Sequence, residues 1–118
     1  MILNSGGSLK MRIREGGDAP SDLVLFVKEE RNEEPDVVFL GGMDVAVLID
    51  AFDKRYAVSI KNSCDKTLID FDATAHSSNG NVSFMYCIST DENCVTLNEA
   101  EMKLFFAGIA SLAWRLWS

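Results

Sequence analysis

Few residues in this 118-residue sequence have the types and spacing that catalysis or metal binding requires. Asp70, Asp72 and His76 form a D-x-D-x-x-x-H string, and alternation along a strand places both aspartates on one face. Paired carboxylates suit hard cations, and a histidine can join a transition-metal site. Because the string lacks a fourth ligand and matches no established spacing, we expect a solvated strand face and turn, with no metal and no cofactor.

A nucleophilic site would need a cysteine or a serine beside a positioned base. His76 is the only histidine, and Cys94 lies near the predicted start of the last helix, where a thiolate is favoured. A Cys94–His76 couple is therefore conceivable, but idle thiols are the expected state of Cys64, Cys87 and Cys94. The sequence has no phosphate-binding glycine motif and no H-E-x-x-H, so we expect no enzyme.

The cysteines and the charge balance restrict compartment and partners. Three cysteines without C-x-x-C spacing or a visible signal peptide predict reduced thiols in a cytoplasmic protein. The net charge of −7 disfavours broad attraction to nucleic acid or to an anionic membrane. The longest apolar stretch is shorter than the roughly 20 residues that span a bilayer, and it contains Arg115. We therefore expect no membrane partner, and a protein partner with a basic surface.

Five acidic residues crowd into the eight-residue stretch "EERNEEPD". Such a run is usually a solvated loop that also protects an edge strand from pairing. A sharper interpretation makes Glu29, Glu30, Glu33 and Glu34 a negative surface that competes for a basic cleft. In size and charge the chain resembles small acidic proteins of phages and other mobile elements that imitate nucleic acid. The resemblance implies an inhibitory binding protein.

Lys10, Arg12 and Arg14 alternate with apolar residues in "SLKMRIRE", the period of a half-buried strand. A single strand of nucleic acid can run along such a row of cations. This strand and the order of elements are similar to single-strand-binding transcription coactivators, which combine a curved antiparallel sheet with a dimerising C-terminal helix. The similarity implies nucleic acid binding as the alternative function, although no outward aromatic residues are expected beside the row. The competing interpretation pairs the row with Asp70 and Asp72 across neighbouring strands.

Hydrophobic periodicity predicts the elements that position these residues. The order is βββα–βββα, which indicates an α+β fold: an antiparallel sheet of about six strands with two helices, the long C-terminal helix packed on one face. Residues 1–118 are expected to form one domain, with residues 1–7 flexible. "GGDAPSD" predicts a turn, and Asn79-Gly80 predicts a hairpin. The six strands are predicted in "SLKMRIRE", "DLVLFVKEE", "VVFL", "YAVSIKN", "TLIDFDAT" and "VSFMYCIS".

Two segments have helical periodicity. "MDVAVLIDAFDKRY" places apolar residues at i, i+3, i+4 and i+7. The second helix begins at "TLNEAEM", with Thr96 and Glu99 as a capping box or Asn98 as an alternative cap. In this second helix, Gly108 is a position where a neighbouring element can approach closely.

The end of the second helix, "LFFAGIASLAWRLWS", carries more apolar surface than one face of a small sheet can cover. Leu104, Trp114 and Trp117 fall at the edges of the apolar stripe or outside it. The tryptophans pack between the two helices, form a two-fold homodimer seam, or dock a different protein.

We therefore expect a non-enzymatic protein-binding module that forms a homodimer through its C-terminal helix. Trp114 and Trp117 are the expected anchors, because aromatic residues carry most interface energy. The alternative is a single-stranded nucleic acid-binding protein that uses Lys10, Arg12 and Arg14, and a small enzyme of unknown class comes third.

Overall fold

The computed structural model describes residues 1–14 and 23–117, so the turn predicted in "GGDAPSD" lies outside the described residues. Within them the chain order is three strands, a helix, four strands and a helix. The elements are β1 (Ser8–Ile13), β2 (Leu23–Lys28), β3 (Asp36–Leu40), α1 (Gly42–Lys54), β4 (Val58–Lys61), β5 (Thr67–Ser78), β6 (Asn81–Ser89), β7 (Cys94–Leu97) and α2 (Glu99–Trp117).

The described strands form two antiparallel sheets, one in the order β1-β2-β3 and one in the order β4-β5-β6-β7. The mixed α+β class is confirmed, whereas the single sheet of about six strands and the βββα–βββα order are wrong. The additional strand is β7, whose sequence "CVTL" overlaps the predicted start of the second helix. β7 pairs with β6, which leaves its residues Cys94 to Leu97 outside the helix.

Helix α2 begins two residues later than a Thr96 cap predicts, because the alternative cap, Asn98, is the one that forms. The Asn98 side chain accepts a hydrogen bond from the Glu101 backbone at 2.8 Å, and Glu101 accepts one from the Asn98 backbone at 3.0 Å. This reciprocal pair is a capping box shifted by two residues. Glu101 also accepts a hydrogen bond from the Asn4 backbone at 2.8 Å, which ties the first residues of the chain to α2.

The first residues of the chain fold back along β1. Leu3 is only 4% exposed and belongs to the core, and the Leu9 backbone donates to the Met1 carbonyl at 3.0 Å. The expected flexibility of residues 1–7 concerns motion, and it stays a prediction.

Both helices contribute an apolar face to a core shared with the inner faces of the sheets. In α1 the predicted positions Val45, Leu48 and Phe52 are buried. The centre of the Phe52 ring lies 4.7 Å from that of Phe71 in β5, in an edge-to-face arrangement. It lies 5.7 Å from the centre of the Phe105 ring in α2. Aromatic contacts of this geometry contribute about 1 kcal/mol each beyond their apolar burial. This cluster therefore joins α1, α2 and the four-stranded sheet.

Gly108 lets α2 cross closely over β1. A Cβ atom added to Gly108 would lie 2.7 Å from the terminal methyl of Met11. The predicted role of Gly108 in a close approach is therefore confirmed, and the neighbouring element is β1. The inner face of β1 is fixed against α2, and its outer face carries the basic row.

Strands β5 and β6 form a hairpin that is longer than the rest of its sheet. Its turn is Asn79-Gly80, both with positive φ, as the sequence predicts. The residues of its distal half, 74–83, are all exposed. The chain as a whole measures 54 Å along its longest axis and 27 Å along its shortest.

Candidate interaction surfaces

The two tryptophans of α2 are not enclosed by the fold. Trp114 is 74% exposed and Trp117 is 39% exposed. The Trp117 indole covers the first residue of α1, because a Cβ atom on Gly42 would lie 3.4 Å from it. Spaced three residues apart on a helix, the two side chains are neighbours. We call Trp114 and Trp117 the tryptophan patch.

A third exposed apolar residue of α2 lies at the edge of the solvent-facing stripe that adjoins β1. Leu104 is 67% exposed and lines a groove beside β1. On a helical wheel it is separated from Trp114 by Ala107 and Ser111. Helix α2 thus presents apolar surface on two sides of its solvent-facing stripe, as the apolar excess of its sequence predicts.

The basic row lies on the outer face of the three-stranded sheet. Lys10 and Arg12 are exposed on β1, and Arg14 follows the end of that strand. Asp70 and Asp72 belong to β5 in the other sheet. The predicted cross-strand pairing of these aspartates with the basic row is therefore wrong, because β1 pairs only with β2 among the described strands.

Aromatic side chains do lie beside the basic row, so the expectation of no outward aromatic residues is wrong. The Arg12 guanidinium lies 5.3 Å from the centre of the Phe26 ring, and the Arg14 guanidinium lies 5.3 Å from that of Phe39. These distances fall within the range of cation–π attraction. Phe39 is about half exposed, whereas Val24 beside it is buried. The alternation of Val24 and Phe26 gives β2 a second apolar face, and this pattern in the sequence could have revealed the aromatic rings.

The acidic stretch serves partly as a structural loop. The Glu29 carboxylate accepts hydrogen bonds from the Cys94 backbone at 2.7 Å and from Arg31 at 2.6 Å. The side chain of buried Asn93 accepts hydrogen bonds from the Glu29 backbone and from Asn32. These contacts connect the loop after β2 to the turn between β6 and β7. Both oxygens of the Glu29 carboxylate therefore accept hydrogen bonds from within the chain.

Asp36 completes this connection at the start of β3. Its carboxylate accepts hydrogen bonds from the Thr90 hydroxyl at 2.6 Å, the Glu92 backbone at 2.8 Å and the Asn93 side chain at 3.0 Å. Burial opposes ionisation of Asp36, but these hydrogen bonds outweigh it and lower its pKa.

Three of the four predicted acidic contact residues do face solvent. Glu30, Glu33 and Glu34 are exposed. The Glu30 side chain lies against Gly6, where an added Cβ atom would clash with it. The negative surface is therefore smaller than the sequence suggests.

The D-x-D-x-x-x-H string does not form a metal site. His76 lies on β5 rather than in the adjoining turn, because this strand continues to Ser78. Along a strand, four residues separate His76 from Asp72 by roughly 13 Å. Asp70 instead accepts a hydrogen bond from the Ser59 hydroxyl of β4. Within residues 1–14 and 23–117, no group of three or more acidic, histidine or cysteine side chains is arranged to bind a metal.

The conceivable Cys94–His76 couple is not assembled either. Cys94 lies opposite Ser89 on β6, and His76 lies opposite Ser83 on the same strand. Six residues of strand separate these positions by roughly 20 Å. Cys94 instead receives a hydrogen bond from the Ser89 hydroxyl at 3.2 Å. Cys64 is exposed and Cys87 is half-buried, and none of the three cysteines forms a disulfide bond.

A polar cluster that the sequence did not reveal joins α1, β6 and α2. Arg55 ends α1 in the left-handed conformation and donates to the Tyr86 hydroxyl and to Glu99, both at 3.0 Å. The Tyr86 hydroxyl donates to the other Glu99 oxygen at 2.9 Å. The Arg55 guanidinium also lies 4.5 Å from the centre of the Phe84 ring. Arg55, Tyr86 and Glu99 border a cleft of about 210 Å³.

The chemistry of this cluster indicates a structural role. Burial raises the pKa of Tyr86, and the hydrogen bond that Arg55 donates to the Tyr86 hydroxyl raises the pKa of Arg55. Burial opposes ionisation of Glu99, but its hydrogen bonds with Arg55 and Tyr86 outweigh it and lower its pKa. Tyr86 is therefore a neutral phenol and its partners form an ion pair at neutral pH. Each of the three groups is hydrogen-bonded to the other two.

Comparisons with protein-family models, curated proteins and solved structures give no match. Neither helix in the described part of the chain has the length and apolar character needed to cross a membrane.

Proposed function

We propose that this chain is a non-enzymatic protein-binding module that self-associates through α2, with Trp114 and Trp117 as anchors. The exposure of Trp114 is the observation that carries the proposal. An indole buries on the order of 200 Å² when it is covered, and Trp114 leaves three quarters of its surface in water. Exposed tryptophans that lie together are typical of protein interfaces.

The geometry of α2 favours a second copy of the chain as the partner of the tryptophan patch. Ala107 and Ser111, next to Trp114 on the solvent-facing side, are small enough for two helices to approach closely. A two-fold interface brings the same patch of each copy into contact, so the tryptophans of each copy are covered by those of the other.

A second part of the proposal concerns an acidic surface of this chain and a basic protein partner. The net charge of −7 and the exposed Glu30, Glu33 and Glu34 suit a further protein with a basic cleft. In this role the chain inhibits by occupying that cleft, as a nucleic acid mimic of the phage or mobile-element type. The proposal places the protein in the cytoplasm, since unpaired cysteines suit a reducing compartment.

Sedimentation equilibrium of the wild type and of a Trp114→Ser, Trp117→Ser variant tests self-association. We expect a wild-type dimer and a folded, monomeric double variant. Val82→Ser is the matched control, because Val82 is similarly exposed at the far end of the β5–β6 hairpin. A monomeric wild type, or a double variant that remains dimeric, would contradict the proposal. Circular dichroism separates loss of the dimer from loss of the fold.

The second candidate function is binding of single-stranded nucleic acid on the outer face of the three-stranded sheet. The observation that favours it is the placement of Arg12 and Arg14 over Phe26 and Phe39. Cations that follow the phosphates, together with aromatic rings on which bases stack, are the usual components of such a surface.

Fluorescence anisotropy with labelled single-stranded oligothymidylate tests this second function. Binding should weaken with salt with a slope of about −0.7 per phosphate contact. Phe39→Ala should remove about 1–3 kcal/mol of binding free energy if a base stacks on that ring. Absence of binding at low salt would eliminate this candidate.

A further inference from the structure

Strand β1 has one side on which its backbone groups are available. The Leu9 backbone exchanges two hydrogen bonds with Met1, donating at 3.0 Å and accepting from the terminal ammonium at 2.7 Å. Both backbone groups of Leu9 therefore point away from β2. Because the direction alternates along a strand, the N–H and C=O groups of Met11 and Ile13 point to the same side. Within residues 1–14 and 23–117, no strand pairs with this side of β1 beyond Leu9.

An apolar groove runs beside this edge. It has a volume of about 580 Å³ and lies between β1 and α2. Met11 lines it from β1 and Leu104, Gly108 and Leu112 line it from α2, with the Met11 side chain reaching across to Gly108. A strand added to β1 would place every second side chain in this groove, because the residues opposite Met11 and Ile13 share their inward direction.

The opposite face of the same edge is cationic. Lys10 and Arg12 are exposed there, and they alternate with the inward residues of β1. An added strand would place its remaining side chains beside these cations. Opposite charges in directly facing positions stabilise a strand pair, and like charges destabilise it. The edge therefore favours a strand with acidic residues on its outer face.

This charge argument disfavours a second copy of the chain at the β1 edge. Two β1 strands paired antiparallel about Met11 would place Lys10 of each copy opposite Arg12 of the other. The like charges would face each other twice, which opposes the pairing. The tryptophan patch is a separate surface, because Trp114 lies roughly 80° from Leu104 around α2 and does not line the groove, although Ser111 borders both.

We propose that the β1 edge binds, by strand addition, an extended segment of a partner protein in which acidic and apolar residues alternate. The backbone groups of Met11 and Ile13 that point away from β2 supply the main-chain hydrogen bonds. The groove beside Leu104 and Gly108 takes the apolar side chains, and Lys10 and Arg12 select the acidic ones. This mode combines backbone affinity with side-chain pockets for alternate residues.

The test uses a fluorescein-labelled peptide of alternating glutamate and valine, seven residues long, with blocked ends. Fluorescence anisotropy should show saturable binding to the full-length wild type. Lys10→Glu with Arg12→Glu should weaken binding about ten-fold or more, because two attractive pairs become repulsive. Leu104→Glu should weaken it similarly, and Val82→Glu is the matched control with an unchanged affinity. A peptide with lysine in place of glutamate should not bind.

Amide hydrogen exchange locates the bound peptide. We expect the amides of Met11 and Ile13 to exchange rapidly in the free protein and to be protected by the glutamate–valine peptide. Failure of that peptide to bind, equal binding to the Lys10→Glu, Arg12→Glu variant, or protection of these amides without peptide would overturn the proposal. Binding of oligothymidylate but not of the peptide would show that Lys10 and Arg12 bind nucleic acid and would overturn the proposal. The Trp114→Ser, Trp117→Ser variant should still bind the peptide, so failure of self-association is distinguished from failure of strand addition.

Discussion

The Glu29 carboxylate accepts a hydrogen bond from the Cys94 backbone at 2.7 Å and so connects the two sheets. Glu29 follows the last strand residue of β2, and Cys94 is the first residue of β7. An acidic residue that the sequence assigns to a contact surface is thus part of the internal framework. The same loop reaches the turn between β6 and β7 through Asn32 and Asp36.

Replacement of Glu29 should therefore affect stability rather than binding to a basic partner. We expect Glu29→Ala to lower the free energy of unfolding by about 1–2 kcal/mol, because a charge-assisted hydrogen bond that connects the two sheets is lost. Glu33→Ala is the control, with an expected change within about 0.5 kcal/mol. Urea unfolding at pH 7 measures both. Equal values for the two variants would show that the Glu29 contact contributes nothing to the fold.

Asp36 should make the protein sensitive to acid. Its folded-state pKa lies below the ordinary value of 3.8, so its stabilisation is present above that value and is lost as pH falls through the folded pKa. We expect Asp36→Asn to be less stable than wild type at pH 7, with the difference shrinking as the pH approaches 3. Urea unfolding between pH 7 and pH 3 measures this convergence. A difference that stays constant over this range would contradict the assignment.

The Tyr86 hydroxyl should contribute measurably to stability. Tyr86 is almost fully buried, and its hydroxyl accepts from Arg55 and donates to Glu99. Tyr86→Phe should cost about 1–2 kcal/mol of unfolding free energy. Tyr56→Phe is the matched control, because its hydroxyl donates to Asp50 on the surface and its loss should cost less than about 0.5 kcal/mol. Thermal and urea unfolding measure the loss of unfolding free energy in both variants. Equal losses would contradict the role of the Tyr86 hydroxyl.

Two glycines with the same backbone requirement should differ in their tolerance of alanine. Gly7 and Gly80 have φ values of 86° and 79°, which disfavour any side chain. A Cβ atom on Gly7 would also lie 2.5 Å from the Lys28 carbonyl oxygen, whereas one on Gly80 would meet nothing within 4 Å. Gly80→Ala should cost about 1 kcal/mol and Gly7→Ala clearly more. Equal losses in chemical unfolding would contradict this difference.

Local periodicity predicts the elements of this fold better than their arrangement. The alternation around Ile69 and Phe71 and the helical spacing of Val45, Leu48 and Phe52 are confirmed by burial. The division into two sheets is not a local property, because it depends on which strands meet through contacts such as that of Glu29 with Cys94. Strand β7 has only four residues and precedes a helix cap, so its pattern is too short to separate from the helix.

The candidate surfaces divide in the same way. The apolar excess of α2 predicts more apolar surface than one stripe can bury, but it left open whether the tryptophans pack between the helices or face a partner. The structure leaves Trp114 74% exposed. The rings of Phe26 and Phe39 beside the basic row were missed, because the same alternation suits a strand with a second layer over it. Arg55, Tyr86 and Glu99 are far apart in the sequence, and no spacing rule connects them. Their contact arises only when the end of α1, the strand β6 and the start of α2 are brought together.

The distal half of the β5–β6 hairpin makes this protein suitable for labelling. Residues 74–83 are exposed and the turn at Asn79-Gly80 lies apart from the tryptophan patch and the β1 groove. An epitope tag or a fluorescent reporter inserted at this turn would remain accessible, because surface turns tolerate insertion better than packed segments. The hairpin therefore supplies an attachment point whose residues do not line the β1 groove.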